Sequence, residues 1–432
     1  MPRDLILHIG LSKTGSSSIQ RVLSSQREAL RSIGVYYPHS PGGASHPLLA
    51  AAVVNDRRTL WGFNQAVWEG TTPAARLERF AGEWQAELDA MPGWATRCIL
   101  STEMIGVLLR HDDEVERLAA SLRPYFDPIR VVVYLRRQDL HCASAFNEWL
   151  RGGVLRGMAL PQSGPADHPM LQYGALLDRF AHAFGDAAMR PRIFERARLV
   201  SGDVVEDFWH VAELDVPIPA AAPERQSNTS MTLEGQTLLL EAGKRMASLS
   251  QGNHWRETPQ WRRLAESVSE TLPGQGWRPT GAEAAAFMTR FAETNEHARQ
   301  RFFPHQETLF STDFSDLPEQ EIKPAYQSLV EAALDVVLHE TAASTEREAR
   351  AAMAQYTLAK RLGDTKLMRT LLMRAIKFAP DLLAPRIQFA RLLLDESDTP
   401  LAAEHVAAAL RIAPDDPQAA RLQRRLRNER PT

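Results

Sequence analysis

The chain has two cysteines in 432 residues, Cys98 and Cys142. They lie far apart and form no metal or redox spacing. That excludes a disulfide scaffold and fits a reducing compartment. Long hydrophobic runs are also missing. No stretch approaches the ~18 apolar residues of a membrane span, so no membrane span is expected. The opening "MPRDLILHIG" is too short an apolar run for a signal peptide, and no small-residue cleavage site follows. A cytoplasmic location is the expectation. Nor is there an excess of one charge. Fifty Lys and Arg against 53 Asp and Glu leave a formal net charge of −3. Nothing pulls the whole chain toward nucleic acid or an anionic membrane, so any anion site must be local. The 13 histidines are scattered without metal-ligand spacing, and no metal is expected. The triplet "NTS" at Asn228 means little in a cytoplasmic chain.

What is present is an alternation of short apolar runs and helical periodicities. Leu5 to Ile9, "RCILS" at Arg97 to Ser101 and "IRVVVYL" at Ile129 to Leu135 read as buried parallel strands. "GVYYP" from Gly34 and "RPRIF" ending at Phe194 add a fourth and a fifth. Ile19, Val22, Leu23, Leu30 and Ile33 recur at helical spacing, with Gly34 as a stop. The expected class is α/β, with a central parallel sheet covered by helices on both faces. In such sheets ligands bind beyond the carboxyl ends of the strands, so residues following Ile9, Ser101 and Leu135 should share one site. "VPIPAAAPERQSN" is a proline-rich break, and residues 216–345 read as helical cover rich in Trp and Phe. "NHWRETPQWRRL" and "RFFPHQETLF" typify it.

The C-terminal part repeats. "RAIKFAPD" ends at Asp381 and "AALRIAPD" at Asp415, an offset of 34 residues that pairs Ala375 with Ala409 and Pro380 with Pro414. That period and that proline are the tetratricopeptide signature, in two degenerate copies, although a generic pair of helical hairpins would read similarly. Two copies are fewer than the three a free-standing array needs, so they are expected to dock on the first domain. They would bind a protein partner or help shape the first domain's cleft. "STEREARAAM" marks the boundary, giving domains 1–345 and 346–432.

The chemistry centres on "ILHIGLSKTGSSSIQ". Gly10 and Gly15 have the spacing of a nucleotide triphosphatase loop, but Ser16 stands where that loop has lysine. The lysine, Lys13, comes two residues before the second glycine. A strand, a tight turn and a helix N-terminus together favour an anion. The hydroxyls of Ser16, Ser17 and Ser18 add donors. A serine-capped helix after a buried strand would look the same. The strand "RVVVYL" ends in Arg136-Arg137, where a triphosphatase usually has a magnesium-binding Asp. An arginine there offers a fork for a second phosphate, or is simply a solvated strand end. Ser144 follows eight residues after Arg136, about two turns into the next helix.

These residues resemble the sulfotransferases that use 3′-phosphoadenosine-5′-phosphosulfate (PAPS). Bacterial members open with a strand and a loop like P-K-T-G-T-T-S-L, which here stands as Ser12-Lys13-Thr14-Gly15-Ser16-Ser17-Ser18-Ile19. Ser12 replaces the usual Pro, and serines replace threonines. The family's second motif, an arginine after a strand and a serine eight residues on, matches Arg136 and Ser144. "YGALLDRFAHAFG" and "FERARL" also resemble segments that follow it. The resemblance covers roughly residues 4–310 and leaves out the repeats.

The resemblance implies a P-loop three-layer sandwich and sulfuryl transfer from PAPS to a hydroxyl, without metal. Lys13, Thr14, Gly15, Ser16, Ser17 and Ser18 would hold the 5′-phosphosulfate, and Arg136 and Ser144 the 3′-phosphate. Lys13 would also stabilise the leaving oxygen. Glu103 falls where several relatives carry the histidine that acts as base. His46 and His39 follow the second strand, where other branches place a base or an acceptor-binding residue. The implied acceptor is a carbohydrate or glycolipid hydroxyl. A P-loop kinase or nucleotide hydrolase, or a non-catalytic nucleotide-binding scaffold presenting the repeats, remain the alternatives.

Overall fold

All five apolar segments become strands, and all five join one sheet. They are β1 (Arg3–His8), β2 (Val35–Tyr36), β3 (Arg97–Ser101), β4 (Phe126–Leu135) and β5 (Met189–Ile193). The order is β2-β3-β1-β4-β5, and every pairing is parallel. The structure is a computed structural model. It describes residues 3–55, 65–162, 167–218, 230–249 and 254–428. Residues 219–228 of the proline-rich break, with Asn228 of "NTS", lie outside the described residues, as does Asn253.

Side chains alternate along each strand between the two faces of the sheet. Leu5, Leu7, Cys98, Leu100, Val131 and Val133 face one core. Ile6, Ile99, Val132 and Tyr134 face another. Both faces are buried, which is why these strands read as unbroken apolar runs.

Helices cover each face. The N-terminal ones are α1 (Ser16–Ser25), α2 (Arg27–Ser32), α3 (Pro47–Val53), α4 (Pro73–Asp89), α5 (Glu103–Leu108), α6 (Asp112–Leu122), α7 (Gln138–Arg151), α8 (Tyr173–Phe184) and α9 (Val204–Val211). The first core takes side chains of α3, α4, α6 and α8. The second takes Ile19, Val22 and Leu23 of α1 with Val205 and Phe208 of α9. The single helix expected from Ile19 to Ile33 is two helices, α1 and α2, meeting at Gln26 (φ −103°, ψ 18°). Ser24 and Ser25 donate their hydroxyls back to the carbonyls of Arg21 and Val22. Such local bonds offer the backbone an alternative to the helix ladder.

Further on come α10 (Leu233–Leu249), α11 (Pro259–Thr271), α12 (Gly281–Met288) and α13 (Ala292–Phe302). α10, α11 and α12 pack on α7, and α13 packs on α8.

By its internal contacts the chain divides into two units, Met1–Ala325 and Tyr326–Thr432. The second holds α14 (Tyr326–Leu362), α15 (Thr365–Phe378), α16 (Leu383–Asp395), α17 (Thr399–Ile412) and α18 (Pro417–Asn428). "STEREARAAM" lies inside α14. Each helix packs on the next. α17 starts 34 residues after α15, and α18 starts 34 after α16. Asp364 and Asp398 cap α15 and α17 alike, and Ala375 and Ala409 are buried at matching places.

One close approach fixes the geometry beyond the strands. Gly106 of α5 donates its N–H to the Ile9 carbonyl at 3.1 Å. A Cβ at Gly106 would lie 2.4 Å from the Gly10 carbonyl oxygen. We therefore expect Gly106→Ala to push α5 off the β1 turn and cost about 1–3 kcal/mol. A urea titration would show it as a lower midpoint at unchanged slope.

Candidate functional site

β1 is the middle strand, so its carboxyl end is flanked by those of β3 and β4. The turn leaving β1 is tied to both neighbours. Thr102 N–H donates to the His8 carbonyl, and Ile9 N–H to the Val132 carbonyl, each at 3.0 Å. The turn closes on itself as well. Thr14 Oγ1 and Ser16 Oγ both donate to the Leu11 carbonyl, at 2.7 and 3.1 Å. These two hydroxyls are buried staples, while Ser17 is exposed and Ser18 half-buried. Gly15 enters α1 at φ 82°, with no side chain capping the helix start. The orphan N–H groups of a helix's first turn suit an anion. Lys13 also has left-handed backbone (φ 64°), which costs a non-glycine residue roughly 1 kcal/mol and needs support from its surroundings.

Arg136 supplies that support. Its Nη1 donates to the Lys13 carbonyl at 2.8 Å, and its guanidinium lies 5.4 Å from the centre of the Phe194 ring. Tyr173 Oη donates to the Arg136 carbonyl at 2.5 Å. The strand end, the β1 turn and α8 thus meet at one arginine. Arg137 turns away and grips Asp139 with two bonds of 2.8 and 3.0 Å.

Two cavities adjoin this point. One of about 470 Å³ is lined by Arg136, Arg137, Phe194 and Arg196, and one of about 330 Å³ by Ser18, Phe194, Arg196 and Val204. Phe194 and Arg196 line both. Each volume lies in the range of small-molecule sites.

The Lys13 ammonium reaches α7. It donates to Glu148 Oε1 at 2.9 Å, and the Lys13 side chain is only 16% exposed against 57% for Glu148. Ser144 is half-buried one turn earlier on α7, on the same side as Glu148. Glu103 starts α5 directly beside Gly10, whose added Cβ would lie 3.1 Å from the Glu103 Cα. Its carboxyl is held above the usual range, first by burial and then by the charge of Glu148, with Lys13 opposing.

Lys13, Gly15, Ser17, Ser18, Arg136 and Glu103 are therefore brought together around one turn, with Ser144 on the helix that meets it. His46 and His39 take other places. His46 is fully buried. Its Nδ1 accepts from Ser101 N–H at 3.1 Å, and its Nε2 lies 3.1 Å from the Pro38 carbonyl. Both nitrogens are spent joining the β2 turn to β3. His39 is exposed, and its backbone N–H donates to Glu87.

Three polar residues close to the turn escape a reading of the sequence. His8, inside β1, bonds Ser101 Oγ through Nδ1 at 2.8 Å, while its buried Nε2 has no partner among the described residues. A histidine in an otherwise apolar strand was the available signal. His141 of α7 is buried with an unpartnered Nδ1, and the charges of Arg136, Lys13 and His168 bear on it. Glu148 gave no signal, being one of many exposed helix carboxylates. Among the described residues, no group of three or more His, Cys, Asp or Glu is arranged to hold a metal ion. No described helix is long and apolar enough to cross a membrane.

Comparison with known proteins assigns no function to this arrangement. No family model matches the chain, and no solved structure matches it. The chain is similar to an uncharacterized protein of Archaeoglobus fulgidus, 23% identical over 229 residues. The match covers 50% of this chain and 60% of that protein.

Burial lowers the pKa of His8, His46 and His141 from 6.5 to about 3, with nearby positive charge adding to the effect at His141. The unfolded chain would then bind more protons than the folded one between pH 6.5 and about 3. Stability is complete above 6.5 and falls with pH by up to about 1.4 kcal/mol per pH unit for each histidine. Urea midpoints should drop steeply from pH 7 to pH 5, and His8→Phe should flatten the slope by about one proton. Equal midpoints at pH 7 and 5 would contradict the buried neutral state.

Proposed function

We propose that the chain is a PAPS-dependent sulfotransferase of P-loop type, moving a sulfuryl group to an acceptor hydroxyl, with a carbohydrate or glycolipid as acceptor class. The observation that carries this reading is the Arg136 bond to the Lys13 carbonyl. It joins the two motifs that the resemblance pairs, 123 residues apart in the chain. The cavities beside Arg136 and Ser18 support a nucleotide there, and Phe194 offers a ring against which a base can pack.

On this reading the α1 N-terminus and Lys13 hold the 5′-phosphosulfate. Ser17 and Ser18 offer it hydroxyls, while Thr14 and Ser16 keep the turn in shape. Arg136 and Ser144 hold the 3′-phosphate. The acceptor oxygen attacks sulfur in line, and its proton passes to the Glu103 carboxylate. The S–O bond to the 5′-phosphate breaks, and its electron pair stays on that oxygen. The Lys13 ammonium meets the growing charge, which favours the transition state over the ground state. A carboxylate raised by burial suits proton acceptance near neutral pH. His46, with both nitrogens bonded, positions β3 and the start of α5.

The helical repeats within residues 346–432 are read as two tetratricopeptide-like copies, on the 34-residue offset of helix starts and the matched alanines. Their proposed partner is a protein segment.

Calorimetry with adenosine 3′,5′-bisphosphate tests the donor site. Wild type should bind it equally with and without Mg²⁺, and Lys13→Ala should weaken binding about tenfold or more. Absence of metal-independent binding would overturn the reading. With an acceptor in hand, Glu103→Gln should lower turnover by about 10²-fold or more. A near-normal rate would remove Glu103 as the base.

A further inference from the structure

A lysine poised for an anion would ordinarily be left free of carboxylates. Lys13 is not. Its ammonium is bonded to Glu148 at 2.9 Å, and Glu103 is near enough for both charges to act on its carboxyl. Arg136 keeps its charge, but its Nη1 is bonded to the Lys13 carbonyl and its guanidinium lies by Phe194, and the charges that act on the Glu103 carboxyl are those of Glu148 and Lys13. His141 adds no positive charge, since burial keeps it neutral. The ammonium that would meet the transferred group is therefore matched, charge for charge, by Glu148.

That balance matters because two chemically similar groups differ in charge. The terminal group of a phosphosulfate carries one negative charge. A terminal phosphate in the same place carries close to two at pH 7. The shapes are nearly the same, so a hydrophobic or hydrogen-bonding pocket separates them poorly. An extra negative charge beside a carboxylate is penalised by Coulomb repulsion, a penalty that solvent moderates here because Glu148 is 57% exposed.

We infer that Glu148 is a specificity-determining residue that makes the site select a terminal sulfuryl group over a terminal phosphoryl group. The inference rests on the sulfotransferase reading and extends it to the choice between donors. Glu148 would neutralise enough of Lys13 to make a dianionic terminus unwelcome, while a monoanionic one is still held by Lys13 and the α1 N-terminus. Being 57% exposed, Glu148 is also a position where substitution leaves the core intact.

The test uses two nucleotides that differ only in the terminal group, PAPS and 3′-phosphoadenosine 5′-diphosphate. Each is titrated by calorimetry without acceptor into the full chain, its Glu148→Gln variant and its Glu148→Asp variant. Wild type should prefer PAPS by about tenfold or more, and Glu148→Gln should shrink that ratio about tenfold, chiefly by tightening the diphosphate. Glu148→Asp keeps the charge and should keep most of the preference, which a purely structural role for Glu148 would not produce. A wild type without preference, or the same ratio in wild type and Glu148→Gln, would overturn the inference and leave the donor site standing. Binding of neither nucleotide by wild type would overturn the sulfotransferase reading itself, and the inference with it.

Discussion

The guanidinium of Arg136 on the carbonyl of Lys13 joins two parts of this site that lie 123 residues apart in the chain. The sheet order makes the contact possible, because β1 and β4 are neighbours and end on the same side. The contact in turn gives Lys13 a reason to keep a left-handed backbone. With the carbonyl drawn toward Arg136, the side chain is left to reach α7, where Glu148 receives it. Arg136, Phe194 and Arg196 border cavities, and the charges of Lys13 and Glu148 act on Glu103.

The burial pattern beneath serves the same end. His8, Ser101 and His46 form a chain of polar contacts under the turn, in a place where an unbonded group is costly. These bonds hold β3 against β1 just before Thr102, whose hydroxyl accepts from Met104 N–H at the start of α5. Gly106 then lets α5 approach the turn more closely than any other residue could. Glu103 owes its position to this packing, and its raised pKa to the same burial.

The strands were legible because a sheet buried on both faces writes itself as apolar runs, from "LILHI" to "VVVYL". Lys13, Gly15 and Arg136 were legible because short motifs carry their own spacing. The break at Gln26 was not, since it turns on where two serine hydroxyls donate. Glu148 was not either. It lies 135 residues from Lys13, on an exposed helix face where glutamate is ordinary. His46 looked like a base because histidine titrates near neutral pH, but burial and two bonds give it structural work instead. Residue type and spacing mark candidate residues. The fold shows which of their nitrogens and carboxylates are already bonded.

A crystal structure with adenosine 3′,5′-bisphosphate would show whether Lys13 and Arg136 serve one nucleotide. The 5′-phosphate should lie at the start of α1, within hydrogen-bond distance of Lys13, and the 3′-phosphate on Arg136 and Ser144. A nucleotide bound elsewhere, or one whose phosphates avoid Lys13 and Arg136, would contradict that shared role.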